Sequence, residues 1–300
     1  MKQFLAIFVT LLLFQSCMPE AQNKSLTYQN IVILSDLSDR IDPTINGSIP
    51  NQQYPSKDIK EINEIINFFN NECVKPGEKI GDKSCISFST FSGESIACID
   101  IGKIKNLGAK QQFINSTGKF KNNGLKYEVD MFKQKVQNAY NNIRNKGLDL
   151  ISVTIDKIEN KSIIKKTKVL TNGVDSTFIN YDNHIYIFTD GYLEYKGKKS
   201  NNQFYFGTKE IEKIRQYCIA NKVNVETALK DKISLCLPAV KNDKNQFINL
   251  HVIETAERDK NTKLQTYNNP KGIRDNEILE GVWRKWAIES EFKSFEWKKY

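Results

Sequence analysis

Two short apolar runs decide the fold of this chain: IVIL at residues 31–34, followed by Ser35-Asp36, and IYIF at residues 185–188, followed by Thr189-Asp190-Gly191. Each run is continuous rather than alternating, and polar turn residues end it. Such runs are typical of strands that are buried on both faces, as in a parallel sheet. We therefore expect both runs to be central strands of an α/β domain.

The segments around these runs alternate between helical and strand patterns. A hairpin is predicted over residues 84–101, with its turn at Ser92-Gly93, and a further strand over residues 248–253. Apolar residues at helical spacing predict helices at residues 56–70, 126–145, 207–221 and 277–297. Strands that alternate with helices predict an open, mostly parallel central sheet with helices on both faces.

Some regions fit this alternation less well. The apolar residues of the segment 148–183 fit the spacing of a strand and that of a helix equally well. Within this segment, Asn172-Gly173 predicts an inserted hairpin over residues 167–181. Residues 255–276 are polar and are expected to form a long surface loop. The aromatic side chains of the last helical segment are expected to face the core: Trp283, Trp286, Phe292, Phe295 and Trp297.

The N-terminus has the pattern of an export signal. Lys2 precedes an apolar run, Phe4–Phe14, which is too short to span a bilayer but suits a signal peptide over residues 1–16. Ser16-Cys17 at its end resembles the lipobox of bacterial lipoproteins, in which the cysteine is lipidated and becomes the first residue. We expect Cys17 to carry the anchor and residues 17–29 to form a polar tether to the domain at residues 30–297. An ordinary cleaved signal with an incidental cysteine is the alternative.

The charge of the chain is basic, at +9, and removing residues 1–16 deletes one lysine and no acid, which leaves +8. Nucleic acid, the usual partner of a basic protein, is not expected in the bacterial cell envelope. The expected partners are a protein or cell-surface ligand, and the membrane through the lipid anchor. The lysines are scattered, which favours a solvated surface; anionic lipid head groups or cell-wall polymers are the alternative.

The cysteines beyond Cys17 give no sign of a metal or redox motif, because no two of them form a CxxC pair. Cys85 and Cys98 fall on the predicted hairpin, with Cys85 expected to face Asp100. We expect these cysteines to be small buried hydrophobic residues rather than disulfide staples.

An aspartate follows each of the two buried strands, Asp36 after the first and Asp190 after the second. In open α/β sheets, ligands bind at the edge where the strands have their carboxyl ends. Carboxylate and hydroxyl oxygens are the ligands that Mg²⁺, Mn²⁺ and Ca²⁺ prefer. The sequence therefore predicts a binding site at this edge, with a possible divalent cation.

These residues resemble the metal-ion-dependent adhesion site of the von Willebrand factor type A (vWA) family, whose first strand ends in D-x-S-x-S. Asp36 and Ser38 match its first two positions, and Asp190, in a Thr-Asp-Gly turn, matches the last. The resemblance covers roughly residues 30–297. It implies a vWA/Rossmann-like fold and a non-enzymatic binding module, whose cation is completed by an acidic residue of the partner.

The chain departs from the family pattern at two positions. Arg40 stands where the second serine is expected, and no threonine occurs near the start of the 126–145 helix, where the family has one. Arg40 either replaces the metal by pairing with Asp36 and Asp190, or it points outward and Asp39 or Asp42 strengthens the site. We expect Thr189, which precedes Asp190, to modify the site as well.

We expect the binding face to combine three segments, at residues 36–42, 117–127 and 190–195. The alternative function is that of a Mg²⁺-dependent phosphohydrolase on a Rossmann-like sheet, with Asp36 as the nucleophile. Such enzymes usually have a second acid where this chain has Ser38. His184 and His251 are candidates for acid–base groups but fit packing positions better, so a binding module is preferred to an enzyme.

Overall fold

The computed structural model of the chain describes residues 23–37, 55–77, 82–90, 95–142, 149–161, 163–171, 175–194, 203–261, 264–269 and 272–299. The strands are β1 (Asn23–Ser35), β2 (Cys85–Thr90), β3 (Ser95–Asp100), β4 (Lys168–Thr171), β5 (Ser176–Thr189), β6 (Ile248–Glu254), β7 (Lys260–Asn261), β8 (Thr266–Tyr267) and β9 (Ser294–Lys299). The helices are α1 (Pro55–Phe68), α2 (Leu107–Ile114), α3 (Leu125–Asn142), α4 (Leu150–Glu159), α5 (Thr208–Asn221), α6 (Val225–Asp231) and α7 (Asp275–Glu289). Across these ranges, no helix has the length and apolar character that a membrane crossing requires.

The central sheet has the order β3-β2-β1-β5-β6-β9, and β4 pairs with β5 outside this path. β1 pairs with β2, β5 with β6, and β6 with β9, all in parallel, whereas the β2–β3 and β4–β5 hairpins are antiparallel. The predicted open, mostly parallel α/β sheet is therefore confirmed.

β1 and β5 run in the same direction. The side-chain amide of Asn30 donates a hydrogen bond to Asn183 Oδ1 at 2.7 Å. Five to six residues further along both strands, the Asp36 backbone N–H donates to the Phe188 carbonyl at 2.8 Å. The carboxyl ends of β1 and β5 therefore lie side by side.

Helices cover both faces of the sheet, because each central strand buries alternate residues on opposite sides. Val32 and Leu34 belong to one core with residues of α4, α5, α6 and α7, and Ile31 and Ile33 belong to the other with residues of α1, α2 and α3. The prediction that the IVIL run is buried on both faces is confirmed.

The chain divides into two compact units. The smaller comprises residues 1–27 and 166–181. Its described part contains β4 paired with the first residues of β5, and Asn180 donates a side-chain hydrogen bond to Ser25 Oγ at 2.9 Å. The larger unit comprises residues 28–165 and 182–300 and holds helices α1 to α7 and both cores.

β1 begins earlier than predicted, because residues 23–29, assigned to the polar tether, already have strand conformation. Their composition is polar, yet Leu26, Tyr28 and Asn30 alternate with more exposed or polar neighbours. This period of two is the signal of a strand, and the polar composition concealed it.

The ambiguous region at residues 148–183 contains a helix followed by the hairpin. Asp149 caps α4, since its carboxylate accepts hydrogen bonds from the Ser152 N–H at 3.0 Å and from the Ser152 hydroxyl at 2.7 Å. This N-cap favours a helix, whereas the spacing of the isoleucines fits a helix and a strand equally well.

The predicted helix at residues 277–297 is wrong in its second half, because α7 ends at Glu289 and β9 follows. Glu291 adopts a left-handed conformation with φ 65°, and the Phe292 N–H bonds to the Ala287 carbonyl at 3.1 Å. This is a Schellman motif, in which glycine usually occupies the left-handed position. Because glutamate occupies that position here, the sequence does not indicate where the helix ends. Trp283 and Trp286 are buried in the core as predicted.

The hairpin register places Cys85 opposite Asp100 as predicted. Cys73, Cys85 and Cys218 are buried and Cys236 is half-buried, and none of these four forms a disulfide with another described residue. Cys98 is exposed, which corrects the expectation that it is buried.

Candidate functional site

Asp36 and Asp190 meet at the point where the strand order of the sheet reverses. β1 leads outward to β2 and β3 on one side, and β5 leads outward to β6 and β9 on the other. Each aspartate follows its strand directly, and both are buried, with 6% and 3% exposure. This is the topological switch point, at which ligands bind in open α/β sheets.

Thr189 connects Asp36 to the turn that carries Asp190. Its hydroxyl donates a hydrogen bond of 3.4 Å to Asp36 Oδ2 and accepts one of 3.1 Å from the Gly191 N–H. The Asp190 carboxylate oxygen Oδ1 accepts a bond of 3.2 Å from the Tyr192 N–H. The turn after β5 therefore fixes the orientation of both side chains.

Among the described residues, the cation at this site is Arg258, which the sequence did not indicate. Its Nε donates a hydrogen bond of 2.6 Å to Asp190 Oδ2, and its Nη1 donates one of 2.6 Å to Glu194 Oε2. The guanidinium also lies 4.1 Å from the centre of the Tyr192 ring. Burial lowers the pKa of Arg258, but the two carboxylates outweigh it and raise that pKa above its usual value.

Arg258 itself lies in the segment predicted as a surface loop, and this segment contains a further ion pair. In residues 255–276, Asp259 is buried and accepts bonds of 2.7 and 3.0 Å from Arg274. Burial raises the pKa of Asp259, but the bonds from Arg274 outweigh this and lower it. The middle of the segment, at residues 264–268, is largely exposed as predicted, whereas Thr255, Asp259 and Asp275 are buried, so the prediction is wrong only for its two ends.

A second buried ion pair supports the same turn. The Tyr192 hydroxyl donates a hydrogen bond of 2.5 Å to Asp275 Oδ2, and Arg215 donates to the other oxygen of Asp275. Burial, and then the negative charge of Asp275, raise the pKa of Tyr192. Tyr192 thus stays neutral and acts as a fixed surface beneath Arg258.

The described residues do not fit a divalent cation at Asp190. One carboxylate oxygen is bonded to Arg258 and the other to a backbone N–H. A dication beside the guanidinium would be repelled by Coulomb's law. Within the described ranges, no three or more histidine, cysteine, aspartate or glutamate residues are grouped as metal ligands. The arrangement that the sequence suggested for Arg40, an arginine on Asp190, is formed by Arg258.

Several predicted residues lie outside the described residues. These are Cys17, Ser38, Asp39, Arg40 and Asp42.

The 117–127 segment does not belong to the binding face. Tyr140, in the last turn of α3, contacts Ser35 at the carboxyl end of β1, with 2.6 Å between the hydroxyl oxygens. The start of α3 lies about 20 Å away along the helix axis, at 1.5 Å per residue. It therefore lies toward the opposite edge of the sheet, and no threonine from the start of this helix can reach Asp36.

Glu254 is a third carboxylate at the same edge that sequence reasoning missed. It ends β6 beside Thr189 and has 3% exposure. Trp297 Nε1 donates a bond of 3.0 Å to Glu254 Oε2, whereas Glu254 Oε1 is buried with no hydrogen-bond partner among the described residues. Burial raises its pKa to about 7, against the opposing effects of Trp297 and Lys299.

The histidine pair, His184 and His251, lies on a face of the sheet below this edge. His184 Nδ1 is 2.9 Å from His251 Nε2, and the outer nitrogens contact Asp182 at 3.1 Å and Glu296 at 2.7 Å. The ring centres are 5.2 Å apart, as expected for two rings meeting nitrogen to nitrogen. All four ring nitrogens are therefore engaged in a chain of hydrogen bonds across three strands.

No protein-family model matches the chain, and no curated protein matches it in sequence. Among solved structures, the chain is similar to the human COPII-coat protein Sec24c, with a TM-score of 0.29 and 11% sequence identity. The match covers 94% of this chain, which spans 30% of the length of the Sec24c chain. A likeness this low carries no functional argument.

Proposed function

We propose that the protein is a bacterial cell-envelope lipoprotein whose α/β domain is a non-enzymatic binding module for a protein or cell-surface ligand. The observation that carries the proposal is Arg258, which bridges Asp190 and Glu194 at the switch point of the sheet. The lipid anchor at Cys17 rests on the lipobox-like sequence alone.

Arg258 supplies the positive charge that a bound cation would supply in a metal-dependent site. Its side chain is one-third exposed, and that of Glu194 is exposed to a similar degree, whereas that of Asp190 is buried. Glu194 can therefore leave the guanidinium more easily than Asp190 can. An acidic group of the ligand then takes the place of Glu194 and forms a charge-assisted hydrogen bond to Nη1.

This proposal predicts opposite effects for two substitutions. Arg258→Gln removes the recognition group and should abolish ligand binding. Glu194→Gln removes the competing carboxylate and should strengthen binding. Crosslinking on intact cells, with the exposed Arg284→Gln as a matched control, measures both. Equal crosslinking by wild type and Arg258→Gln would exclude this arginine as the recognition group.

Calorimetric titration with Mg²⁺, Mn²⁺ and Ca²⁺ tests whether binding is independent of metal. We expect no heat of binding from wild type, because Arg258 stays on Asp190. Binding in wild type that Asp36→Ala removes would contradict this and support the metal-dependent form. Turnover of a phosphate ester that Asp36→Asn abolishes would contradict the non-enzymatic function altogether.

The lipid anchor has its own test. Acyl labelling followed by mass spectrometry should find the modification on wild type and lose it in Cys17→Ser. An unmodified cysteine in the exported protein would refute the anchor and leave the binding module untouched.

A further inference from the structure

Residues 101–126 carry six lysines and no aspartate or glutamate, a concentration of charge that the binding site does not use. Lys110 is buried, and this burial, together with the charge of Lys83, lowers its pKa. The other five are exposed, and we refer to them as the basic edge: Lys103, Lys105, Lys119, Lys121 and Lys126.

The basic edge lies at the end of the sheet opposite the switch point. β3 runs antiparallel to β2, so its last residue is level with the first residue of β2. The Ile101 N–H bonds to the Ser84 carbonyl at 3.2 Å, just before β2 begins. The segment from residue 101 onward therefore starts where β1 and β2 of the larger unit also start.

The two groups of lysines in this segment are held together by α2. Lys103 and Lys105 precede the helix, and the other three follow it. The Phe113 and Phe120 rings pack edge to face with centres 5.6 Å apart, and the Lys126 N–H bonds to Ser116 Oγ at 3.1 Å. The segment that carries the five lysines is therefore an ordered element of the fold.

The charge of this surface is not neutralised locally. Among the described residues, none of the five lysines has an ion pair with a carboxylate, whereas Lys285, Lys293 and Lys298 do. Leu107, at the first position of α2, is 55% exposed between them. A surface of unpaired lysines around an exposed leucine suits an anionic bilayer.

The course of the chain favours a bilayer as the occupant. Tyr28 enters the larger unit at the same end, since the Gln29 N–H bonds to Ser84 Oγ at 3.1 Å and Lys83 Nζ lies 5.9 Å from the Tyr28 ring. Ten residues lie between Cys17 and Tyr28, and the eleven steps from one Cα to the next span at most about 40 Å. A lipid on Cys17 would hold this end of the domain near the membrane, at high effective concentration.

We infer that the basic edge is a docking surface for anionic lipid head groups, which turns this end of the domain toward the membrane. The inferred orientation of the domain rests on the proposed lipid anchor, whereas the binding of the basic edge to lipid is measured without that anchor. Each lysine at an anionic membrane is expected to strengthen binding about fivefold.

Vesicle sedimentation of the unlipidated Cys17→Ser chain tests this inference. The chain should bind vesicles that contain phosphatidylglycerol, release them at high salt, and ignore vesicles of phosphatidylcholine alone. Lys119→Glu, Lys121→Glu and Lys126→Glu together should weaken binding by about a hundredfold or more.

The matched control reverses three exposed lysines at the carboxyl edge of the sheet: Lys57→Glu, Lys60→Glu and Lys209→Glu. It makes the same change in net charge and should bind almost as wild type does. The inference would be overturned if the control lost as much vesicle binding as the basic-edge variant. Binding of the wild-type surface to neutral vesicles, or no binding to any vesicle, would overturn it as well. So would binding to a soluble anionic cell-wall polymer without binding to vesicles. Circular dichroism confirms that each variant is folded.

Discussion

Glu254 provides the sharpest test of the carboxyl edge. It is 3% exposed, one of its oxygens has no hydrogen-bond partner among the described residues, and burial raises its pKa from 4.5 to about 7. The folded state therefore holds a proton on this group that the unfolded state releases above pH 4.5. This proton stabilises the folded state fully below pH 4.5, and its contribution is lost as pH rises through about 7.

The size of this loss follows from the shift. One pKa unit corresponds to about 1.36 kcal/mol, so a rise from 4.5 to about 7 costs the folded state about 3 kcal/mol at high pH. Glu254→Gln keeps an oxygen for Trp297 and carries no titrating proton. As pH rises, wild type should lose about 3 kcal/mol of unfolding free energy that the variant keeps. Most of this difference should develop between about pH 5 and pH 8.

Urea unfolding followed by tryptophan fluorescence measures this difference at each pH. The exposed Glu277→Gln is the control, because it removes a carboxylate that is not buried, and its difference from wild type should not follow the same curve. A difference between wild type and Glu254→Gln that stays constant from about pH 5 to pH 8 would refute the buried, protonated carboxyl.

Three further outcomes follow from the same structure. Gly191→Ala should destabilise the domain by about 1–3 kcal/mol in thermal unfolding, because φ is +86° and a Cβ would lie 2.8 Å from the Trp297 ring; an unchanged Tm would contradict that close approach. Tyr140→Phe should cost about 1–3 kcal/mol in thermal unfolding, since it removes the bond of 3.0 Å that the Tyr140 hydroxyl donates to the buried carboxylate of Asp58; an unchanged Tm would contradict that contribution. Burial lowers the pKa of His251 below 6.5 despite the bond to Glu296, so the unfolding free energy should fall as pH drops below 6.5, and the imidazole NMR titration should have its midpoint below that value; a midpoint above 6.5 would be the contrary result.

The fold could be predicted where burial governs the sequence pattern. IVIL is apolar at every position because both faces of its strand are covered, and IYIF departs from this only at the half-buried Tyr186; the short length of both runs and the turn residues after them favour strands. α7 and β9 could not be separated, because Glu291 ends the helix with a conformation that glycine usually signals.

The site could be predicted only in part, for a different physical reason. Asp36 and Asp190 follow their strands directly, so topology alone brings them together. Arg258 is 68 residues from Asp190 along the chain, in a segment whose composition indicates solvent exposure. Its role depends on pairing across the fold, and a single sequence carries no record of such pairs.

An arginine in place of a metal changes how a binding edge responds to its surroundings. A guanidinium stays charged throughout the physiological pH range, so the proposed binding at Arg258 should be insensitive to chelators and to moderate changes of pH. It should instead be sensitive to salt, since Arg258 and Glu194 are partly exposed. The basic edge lies at the other end of the strands, and the eight residues from Tyr28 to Ser35 span about 26 Å. A domain that rests on lipid through its lysines therefore presents Arg258 away from the membrane, where an acidic group of a ligand can reach it. A lipid-bound form in which Arg258 is shielded from solvent would contradict this arrangement, and hydrogen exchange of the 190–194 turn on vesicles measures it.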